Sequence, residues 1–127
     1  MFIYVVRHYA DPSWYIQRMT LRLDGFASLN APYEGGQLVT KPLRFKGAQL
    51  EINYSTSAAG GLKVEIQDEK GQPVNGFSLQ ECPEIIGDEI SRIVSWNGGD
   101  DVGSLAGKPI RLRFVMKDAD LYSLRFR

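Results

Sequence analysis

The stretch MTLRLDGFASLNA, residues 19–31, alternates apolar and polar side chains on both sides of an Asp24-Gly25 dipeptide. Successive side chains of a strand point to opposite faces, so the odd-numbered residues of 19–23 are predicted to face a core. Asp-Gly is a frequent tight turn. The stretch therefore predicts a junction between two units, which are an N-terminal hairpin and linker over residues 1–24 and a domain over residues 25–127.

The residues before the junction have the pattern of a β-hairpin. Residues 2–9 (FIYVVRHY) are rich in β-branched and aromatic side chains, and residues 10–13 (ADPS) are typical turn formers. A second strand is predicted from Trp14 or Tyr15 to Asp24. Apolar side chains occur on both faces of the first strand, which is typical of a strand covered on both sides. Because an isolated hairpin is only marginally stable in water, we expect another chain or a further domain to cover it.

The residues after the junction predict short antiparallel strands. The alternation is cleanest where Leu62, Val64 and Ile66 are separated by polar side chains. Turn signals recur every ~8–12 residues and no long amphipathic helix is indicated, which is typical of a sandwich. The predicted class is therefore an all-β antiparallel β-sandwich, jelly-roll-like, preceded by the N-terminal hairpin. The other predicted elements are strands at residues 37–41, 43–46, 49–55, 62–67, 89–96, 109–117 and 121–127, turns at residues 58–61 and 118–120, and one helical turn at residues 100–107.

The charge and the cysteine count restrict the classes of partner and compartment. The chain has 15 Lys and Arg residues against 15 Asp and Glu residues, so its formal net charge is zero. It therefore lacks a general attraction for nucleic acid or an anionic membrane. A single cysteine excludes an internal disulfide and does not indicate a compartment. The apolar residues 2–6 are too few for a signal-peptide core or a membrane span, so we expect a soluble chain without nucleic-acid or membrane partners.

Aromatic residues at loop ends are the candidates for sugar binding, because aromatic rings stack on the apolar faces of sugars. Trp96 is the strongest of them, since the polar residues Asn97 and Asp100 follow it in the segment SWNGGD. The alternative is that burial in a core or an interface accounts for these aromatic residues. The predicted carbohydrate-binding residues are Trp96, Asn97, Asp100 and Tyr122.

Acidic residues and one thiol are the remaining candidates for chemistry. Asp118 and Asp120 are the predicted ligands if the chain holds a calcium ion, but Ca²⁺ requires about six to eight oxygen ligands and an Asp-x-Asp between strands is more simply a turn. His8 and Cys82 could act as base and nucleophile only within hydrogen-bond reach of each other. A packed thiol and a strand histidine are the simpler interpretation. We therefore expect no catalytic residue and no cofactor other than this calcium candidate.

Arginines recur at outward positions of the predicted strands. They would form a basic stripe if those strands were neighbours, but acids such as Glu51 and Glu65 could pair with them across the sheet. A solvated or ion-paired face is favoured over a site for an anion or a nucleic acid. The arginines are Arg7, Arg18, Arg22, Arg111, Arg113 and Arg125.

Several stretches of the chain together resemble a known family. They are RHYADPSWYIQRMTLRLDGFASLNAPYEGGQLVTKPLRFKG, NYSTSAAGGLKVEIQDEKGQPVNGFSLQEC, SWNGGDDVGSLAGKPIRLRF and KDADLYSLRF. In combination they resemble the C-terminal β-sandwich found behind a five-bladed β-propeller in bacterial proteins related to invertase-type and arabinanase-type glycoside hydrolases. The resemblance spans nearly the whole chain, and none of its motifs is a catalytic signature.

The resemblance implies a non-catalytic accessory domain with a structural role and a capacity to bind carbohydrate. In such proteins the catalytic carboxylates lie in the propeller, against which the sandwich packs. Residues 1–24 would then correspond to the last propeller strands and the linker, with the propeller itself absent from this chain. The expected partners are a propeller domain or a second copy of the chain, together with a polysaccharide. The alternative function is a self-associating interaction module whose N-terminal hairpin packs on a partner chain.

Overall fold

Strands dominate the computed structural model, which describes residues 22–127 and, for the backbone alone, residues 2–7 and 15–20. Within these residues the helical structure is one 3₁₀ turn at Gly103–Leu105, inside the predicted helical turn. Every described strand pairing is antiparallel, so the predicted all-β antiparallel class is confirmed. The strands are β1 (Phe2–Arg7), β2 (Tyr15–Thr20), β3 (Leu29–Ala31), β4 (Gly36–Val39), β5 (Leu50–Asp68), β6 (Asp88–Ile93) and β7 (Ile110–Phe126).

The N-terminal hairpin is confirmed as the antiparallel pair of β1 and β2. Phe2 pairs with Thr20 at one end, and Arg7 pairs with Tyr15 at the other. The pair forms a two-stranded sheet separate from the five-stranded sheet built by the other strands. The predicted turn at residues 10–13 lies outside the described residues.

The junction after the hairpin is a turn and not the end of a strand. Arg22 belongs to no strand and residues 23–26 form a turn, so the prediction that the second strand continues to Asp24 is wrong. The Asp24-Gly25 turn itself is confirmed, because Asp24 has a φ of 56° and the Gly25 N–H donates to the Arg22 carbonyl at 2.8 Å. Leu23, which was predicted to face a core, is 59% exposed because the turn directs it outward.

Two long strands organise the five-stranded sheet. β5 and β7 pair along most of their lengths, β6 pairs with the other edge of β5, and both β3 and β4 pair with β7. Strands are confirmed where residues 37–41 and 89–96 predicted them, as β4 and β6, whereas residues 43–46 contribute only a bridge from Leu43 to Ile110. Two predicted strands, at residues 49–55 and 62–67, are the two halves of β5. The predicted strands at residues 109–117 and 121–127 are likewise the two halves of β7.

The turns predicted at residues 58–61 and 118–120 are wrong, because both belong to one bulge between β5 and β7. Four residues of β5 lie opposite Asp118 alone, and Asp118 has a φ of 43°. A Cβ at Gly60 would approach a backbone carbonyl oxygen of β7 to 2.5 Å. Glycine therefore permits the two backbones to stay close where the ladder is irregular, and each strand continues past the bulge.

The bulges change which side chains of β7 face the core. A second register shift leaves Tyr122 without a partner in β5, so the single face predicted for Tyr122, Leu124 and Phe126 is broken. Leu124 and Phe126 pack against the core, whereas the Tyr122 ring lies beside Arg22. The buried residues of β7 are Ile110, Leu112, Phe114 and Met116 before the first bulge, and Ala119 and Leu121 after it.

The core lies on one face of the sheet. Irregular segments of the chain complete this core from the other side, with Phe45, Cys82, Val94, Trp96 and Leu105 among their buried residues. The described strands form the five-stranded sheet and the two-stranded sheet of β1 and β2, and the sandwich with its jelly-roll topology stays a prediction. No helix of the described residues has the length and apolarity that a membrane crossing requires. The core residues of β5 are Leu50, Ile52, Tyr54, Leu62, Val64 and Ile66, each at most 1% exposed and on the predicted face.

Candidate functional site

Trp96, the strongest sugar-binding candidate of the sequence, is a core residue. It is 3% exposed, and its indole Nε1 donates to the Val64 carbonyl oxygen at 3.0 Å. Its ring meets Phe77 edge to face, with 5.1 Å between the ring centroids. Both the apolar ring and the polar N–H are therefore used inside the protein, and Trp96 has no free face for a sugar.

The other residues predicted to bind sugar make separate contacts within the protein. Asn97 is exposed in a turn, where its backbone N–H donates to the Glu81 carbonyl at 2.8 Å. The Asp100 carboxylate accepts a hydrogen bond from the Gln49 side chain at 3.1 Å. Tyr122 lies on the last strand against Arg22. These contacts give Asp100 and Tyr122 local structural roles, whereas Asn97 is held through its backbone, and sugar binding by these three residues stays a prediction.

Asp118 and Asp120, the calcium candidates, lie at the bulge of β7. The Asp118 N–H donates to the Pro32 carbonyl at 3.0 Å. The Asp120 carboxylate accepts hydrogen bonds from the Ser28 hydroxyl at 2.8 Å and from the Asn30 amide at 3.1 Å, which fastens β3 to β7. Within the residues that the structure describes, no three or more His, Cys, Asp and Glu side chains form a group that could hold a metal ion.

Cys82 is packed in the core, as predicted for a structural thiol. It is 1% exposed, and its sulfur accepts a hydrogen bond from the Val64 N–H at 3.4 Å. Burial raises the pKa of the Cys82 thiol, so the reactive thiolate is disfavoured. His8, its predicted partner in the nucleophile hypothesis, lies outside the described residues.

One end of the β5–β7 pair holds an ionic cluster around a buried carboxylate, which we call the Glu51 cluster (Glu51, Ser91, Arg125 and Arg127). The Glu51 side chain is 5% exposed and pairs with Arg125 at 3.0 Å and Arg127 at 2.9 Å, and it accepts a hydrogen bond from the Ser91 hydroxyl. Hydrogen bonds from Ser91 and Arg127, with a further contribution from Arg125, lower the pKa of Glu51 to about 2 against the opposing effect of burial. The predicted pairing of Glu51 with an arginine is confirmed, and this carboxylate is ionised at neutral pH.

A cavity of about 170 Å³ lies beside the Glu51 cluster, between β5, β7 and the junction turn. The Asn53 amide donates to the Leu23 carbonyl at 2.6 Å across it. The Asp24 carboxylate accepts a hydrogen bond from the Ser123 hydroxyl at 2.9 Å. The cavity is smaller than the roughly 300–1,000 Å³ of typical ligand sites, and its charged groups already have partners. We therefore regard this end of the molecule as structural.

Arg22 fastens the junction to the sheet. Its guanidinium lies 4.7 Å from the centroid of the Tyr122 ring and donates hydrogen bonds to four acceptors. The register of β5 shifts here against both of its neighbours, and such bulges leave backbone groups free for other donors. The acceptors are the Asn53 side-chain oxygen, the Asp88 carboxylate and the carbonyl oxygens of Tyr54 and Glu89, the last two at 2.6 Å.

The same strand pair carries an open groove on the other side of its bulge, which we call the Val115 groove. Residues 114 and 116 are buried, so Val115 and its neighbours at two-residue spacing, Arg113 and Lys117, lie on the outer face. Val115 pairs with Lys63 of β5 on one side and with Gln37 of β4 on the other. The groove has a volume of about 410 Å³ and is lined by Glu34, Gly35, Gly36, Gln37, Gly61, Leu62, Lys63, Glu84, Arg113, Val115, Met116 and Lys117. Its size is within the range typical of ligand sites.

An aromatic residue and a carboxylate border the Val115 groove. Tyr33 is 58% exposed, and the Lys117 ammonium lies 4.3 Å from the centroid of its ring. The Glu84 carboxylate rests against Gly61, where a Cβ would overlap it. The groove therefore combines two acids and three cations in one opening, with an exposed aromatic ring at its border.

The cations of the Val115 groove differ in how they are held. Arg113 donates to the Gln37 side-chain oxygen at 3.1 Å and pairs with the buried Glu65 carboxylate at 3.5 Å. The predicted pairing of Glu65 with an arginine is thus confirmed. Among the residues that the structure describes, no ion pair includes Lys63 or Lys117.

Sequence reasoning assigned Arg22 to a solvated or ion-paired face and did not single out Lys63 and Lys117. Both lysines occupy outward positions of predicted strands, which was the available signal. The sequence did not show that the two strands are neighbours, nor that residues 61 and 117 pair beside a bulge.

No family model, no curated protein and no solved structure matches the chain.

Proposed function

We propose that the chain is a non-catalytic accessory β-domain that joins a larger assembly through its N-terminal hairpin. The observation that carries the proposal is the separate two-stranded sheet of β1 and β2. A two-stranded hairpin is marginally stable in water unless it packs on something. The sequence of β1 has apolar side chains at successive positions, so both of its faces favour burial.

The partner that we propose is a five-bladed propeller of the glycoside-hydrolase type, as the family resemblance implies. Catalysis would then belong to the propeller and not to this domain. A second copy of the chain is the alternative partner, because the same apolar hairpin would favour self-association when no propeller is available. The Arg22 contacts support either partner, since only residue 21 separates β2 from a side chain fastened to the sheet. A partner that binds the hairpin would therefore hold the five-stranded sheet next to it.

The mass of the chain in solution tests the role of the hairpin. We expect light scattering of the wild-type chain to give a multiple of the single-chain mass. Val5→Lys, in the middle of β1, should shift the mass towards the monomer, because a charged side chain in an apolar contact is costly. Val39→Lys is the matched control, since Val39 is already 44% exposed on β4 and its substitution should leave the mass unchanged.

Two results together would contradict this role. They are a wild-type chain that stays monomeric at all concentrations and a Val5→Lys variant with unchanged mass and stability. In that case the hairpin would need no partner.

Carbohydrate binding is the second part of the proposed function, and the family resemblance implies it. Trp96 gives it no support, because the ring is buried. The observation that favours it is the Val115 groove, where Tyr33 offers an exposed ring next to side chains that form hydrogen bonds. Isothermal titration calorimetry with β-fructans, arabinans and other plant polysaccharides tests this part. If no glycan gave a heat of binding, only the structural role would remain.

A further inference from the structure

The register of β5 and β7 brings three cations around Val115. Lys63 lies directly across from Val115, and residues directly opposite in a ladder have Cβ atoms about 5 Å apart. Arg113 and Lys117 lie two positions before and after Val115, a spacing of roughly 6–7 Å along a strand. A single carboxylate above Val115 would therefore be within reach of all three long side chains.

The groove also presents groups that suit hydroxyl-rich ligands. Glu34 and Glu84 line it as acids, and Gln37 adds an amide. Carboxylate and amide oxygens accept hydrogen bonds from hydroxyls. Acids within the groove disfavour a ligand with dense negative charge, such as a nucleic acid, because like charges repel. A ligand with many hydroxyls and only scattered carboxylates fits this mixture of charges.

Tyr33 supplies a surface for a sugar ring. The Lys117 ammonium is placed over its ring at 4.3 Å, which is the geometry of a cation–π contact. The residue remains 58% exposed, so part of the aromatic surface is available to a ligand. The same lysine thus borders both the aromatic ring and the cationic centre of the groove.

We propose that the Val115 groove binds an acidic oligosaccharide, with a uronate carboxylate held by Lys63, Arg113 and Lys117 and a sugar ring packed on Tyr33. The inference rests on the carbohydrate-binding part of the proposed function and names its ligand class. The acids and Gln37 accept hydrogen bonds from the sugar hydroxyls.

The test compares two forms of one oligosaccharide on the full chain. The probes are the tetramer of α-1,4-linked galacturonic acid and the same tetramer with every carboxylate methyl-esterified. The ester preserves the sugar rings and removes the charge, so calorimetry should give an affinity for the acid about tenfold or more above that for the ester. The affinity for the acid should also fall as salt is added.

Variants locate the binding in the groove. The double variant Lys63→Gln and Lys117→Gln should weaken binding of the acid by about tenfold or more and bring it close to that of the ester. The matched control is the double variant Lys70→Gln and Lys108→Gln, which removes the same charge at two exposed lysines outside the groove and should leave binding unchanged. Tyr33→Ala should weaken the binding of the acid tetramer and of the ester tetramer by a similar factor.

Four results would overturn the inference. They are equal binding of the acid and the ester, an unchanged affinity in the Lys63 and Lys117 variant, absence of binding by either tetramer, and inorganic phosphate binding as tightly as the acid tetramer. Equal binding of the two tetramers would still leave a carbohydrate-binding role. If neither tetramer binds while Val5→Lys still lowers the mass in solution, the assembly role of the hairpin stands without this ligand.

Discussion

The Glu51 cluster and the Val115 groove lie on opposite sides of the bulge in one pair of strands and use the same types of residue. At the first, two arginines converge on a carboxylate that is 5% exposed. At the second, cations border an opening of about 410 Å³. The difference is the surroundings, because Ser91 of the neighbouring strand β6 contacts Glu51 and the junction turn contacts Asn53 two residues along β5. Whether a charged side chain on the sheet is structural or available to a ligand thus depends on what packs against its strand.

The largest effect should follow from releasing the junction at the Glu51 end. Arg22→Ala leaves two backbone carbonyls and the Asn53 side chain without a donor. Each buried group that loses its partner costs about 1–3 kcal/mol, and partial exposure reduces the sum to about 2–4 kcal/mol of unfolding free energy. Urea unfolding measures this loss. Arg22→Lys should recover only part of it, because an ammonium lacks the planar fork that reaches several acceptors.

Arg92→Gln is the control for the Arg22 prediction. It removes an arginine whose ion pair with Glu89 at 3.1 Å lies on the surface, where such pairs contribute only about 0–1 kcal/mol. Equal losses in the Arg22 and Arg92 variants would show that Arg22 is not an anchor. The attachment of the junction to the sheet would then need another explanation.

A smaller loss should follow from Trp96→Phe, which tests whether ligand binding is confined to the groove. The variant leaves the buried Val64 carbonyl without its indole donor, at a cost of about 1–3 kcal/mol in unfolding free energy. Affinity for the acid tetramer should not change, because Trp96 is 3% exposed. Thermal unfolding and calorimetry on the same sample measure both quantities. A stable variant that loses ligand affinity would return Trp96 to the role that the sequence suggested.

The alternation of apolar residues predicted much of the fold. It identified the all-β class, the hairpin and the buried faces of both halves of β5, because every second side chain of a strand points to the same face. It failed at residues 58–61 and 118–120. Glycines and aspartates favour bulges as well as turns, and the choice depends on whether the following strand pairs with a new neighbour or continues with the old one.

The candidate site was less predictable than the fold. The exposed tryptophan hypothesis failed because a loop residue with polar neighbours can still fold its ring into the core, as Trp96 does. The pairing of arginines with Glu51 and Glu65 was predicted correctly, since it required only that neighbouring strands carry opposite charges. The Val115 groove requires the register of three strands and the absence of cover, and single-strand patterns contain neither.

The pH dependence of stability distinguishes the paired carboxylate from the open groove. Because the folded pKa of Glu51, about 2, is below the ordinary value of 4.5, its contribution is present above pH 4.5 and is lost as the pH falls towards 2. Glu51→Gln should therefore reduce the loss of stability between pH 4.5 and pH 2, measured by urea unfolding. The effect should be smaller than that of Trp96→Phe, since Arg125 and Arg127 are 65% and 56% exposed and water screens their charges. If the unfolding free energy of the Glu51→Gln variant fell with pH as steeply as that of the wild type, the assigned role of Glu51 would be contradicted.

The smallest effect on stability should come from the groove itself. Lys63→Gln together with Lys117→Gln should change the unfolding free energy by no more than about 0.5 kcal/mol, the usual range for surface substitutions. Neither lysine forms an ion pair within the described residues, and the cation–π contact that the folded state loses is that of Lys117 with Tyr33. A stability loss as large as that of Arg22→Ala would mean that these cations hold the sheet together, as Arg22 does. Unchanged stability with altered ligand affinity is the combination expected of charges that a sheet keeps free for a partner.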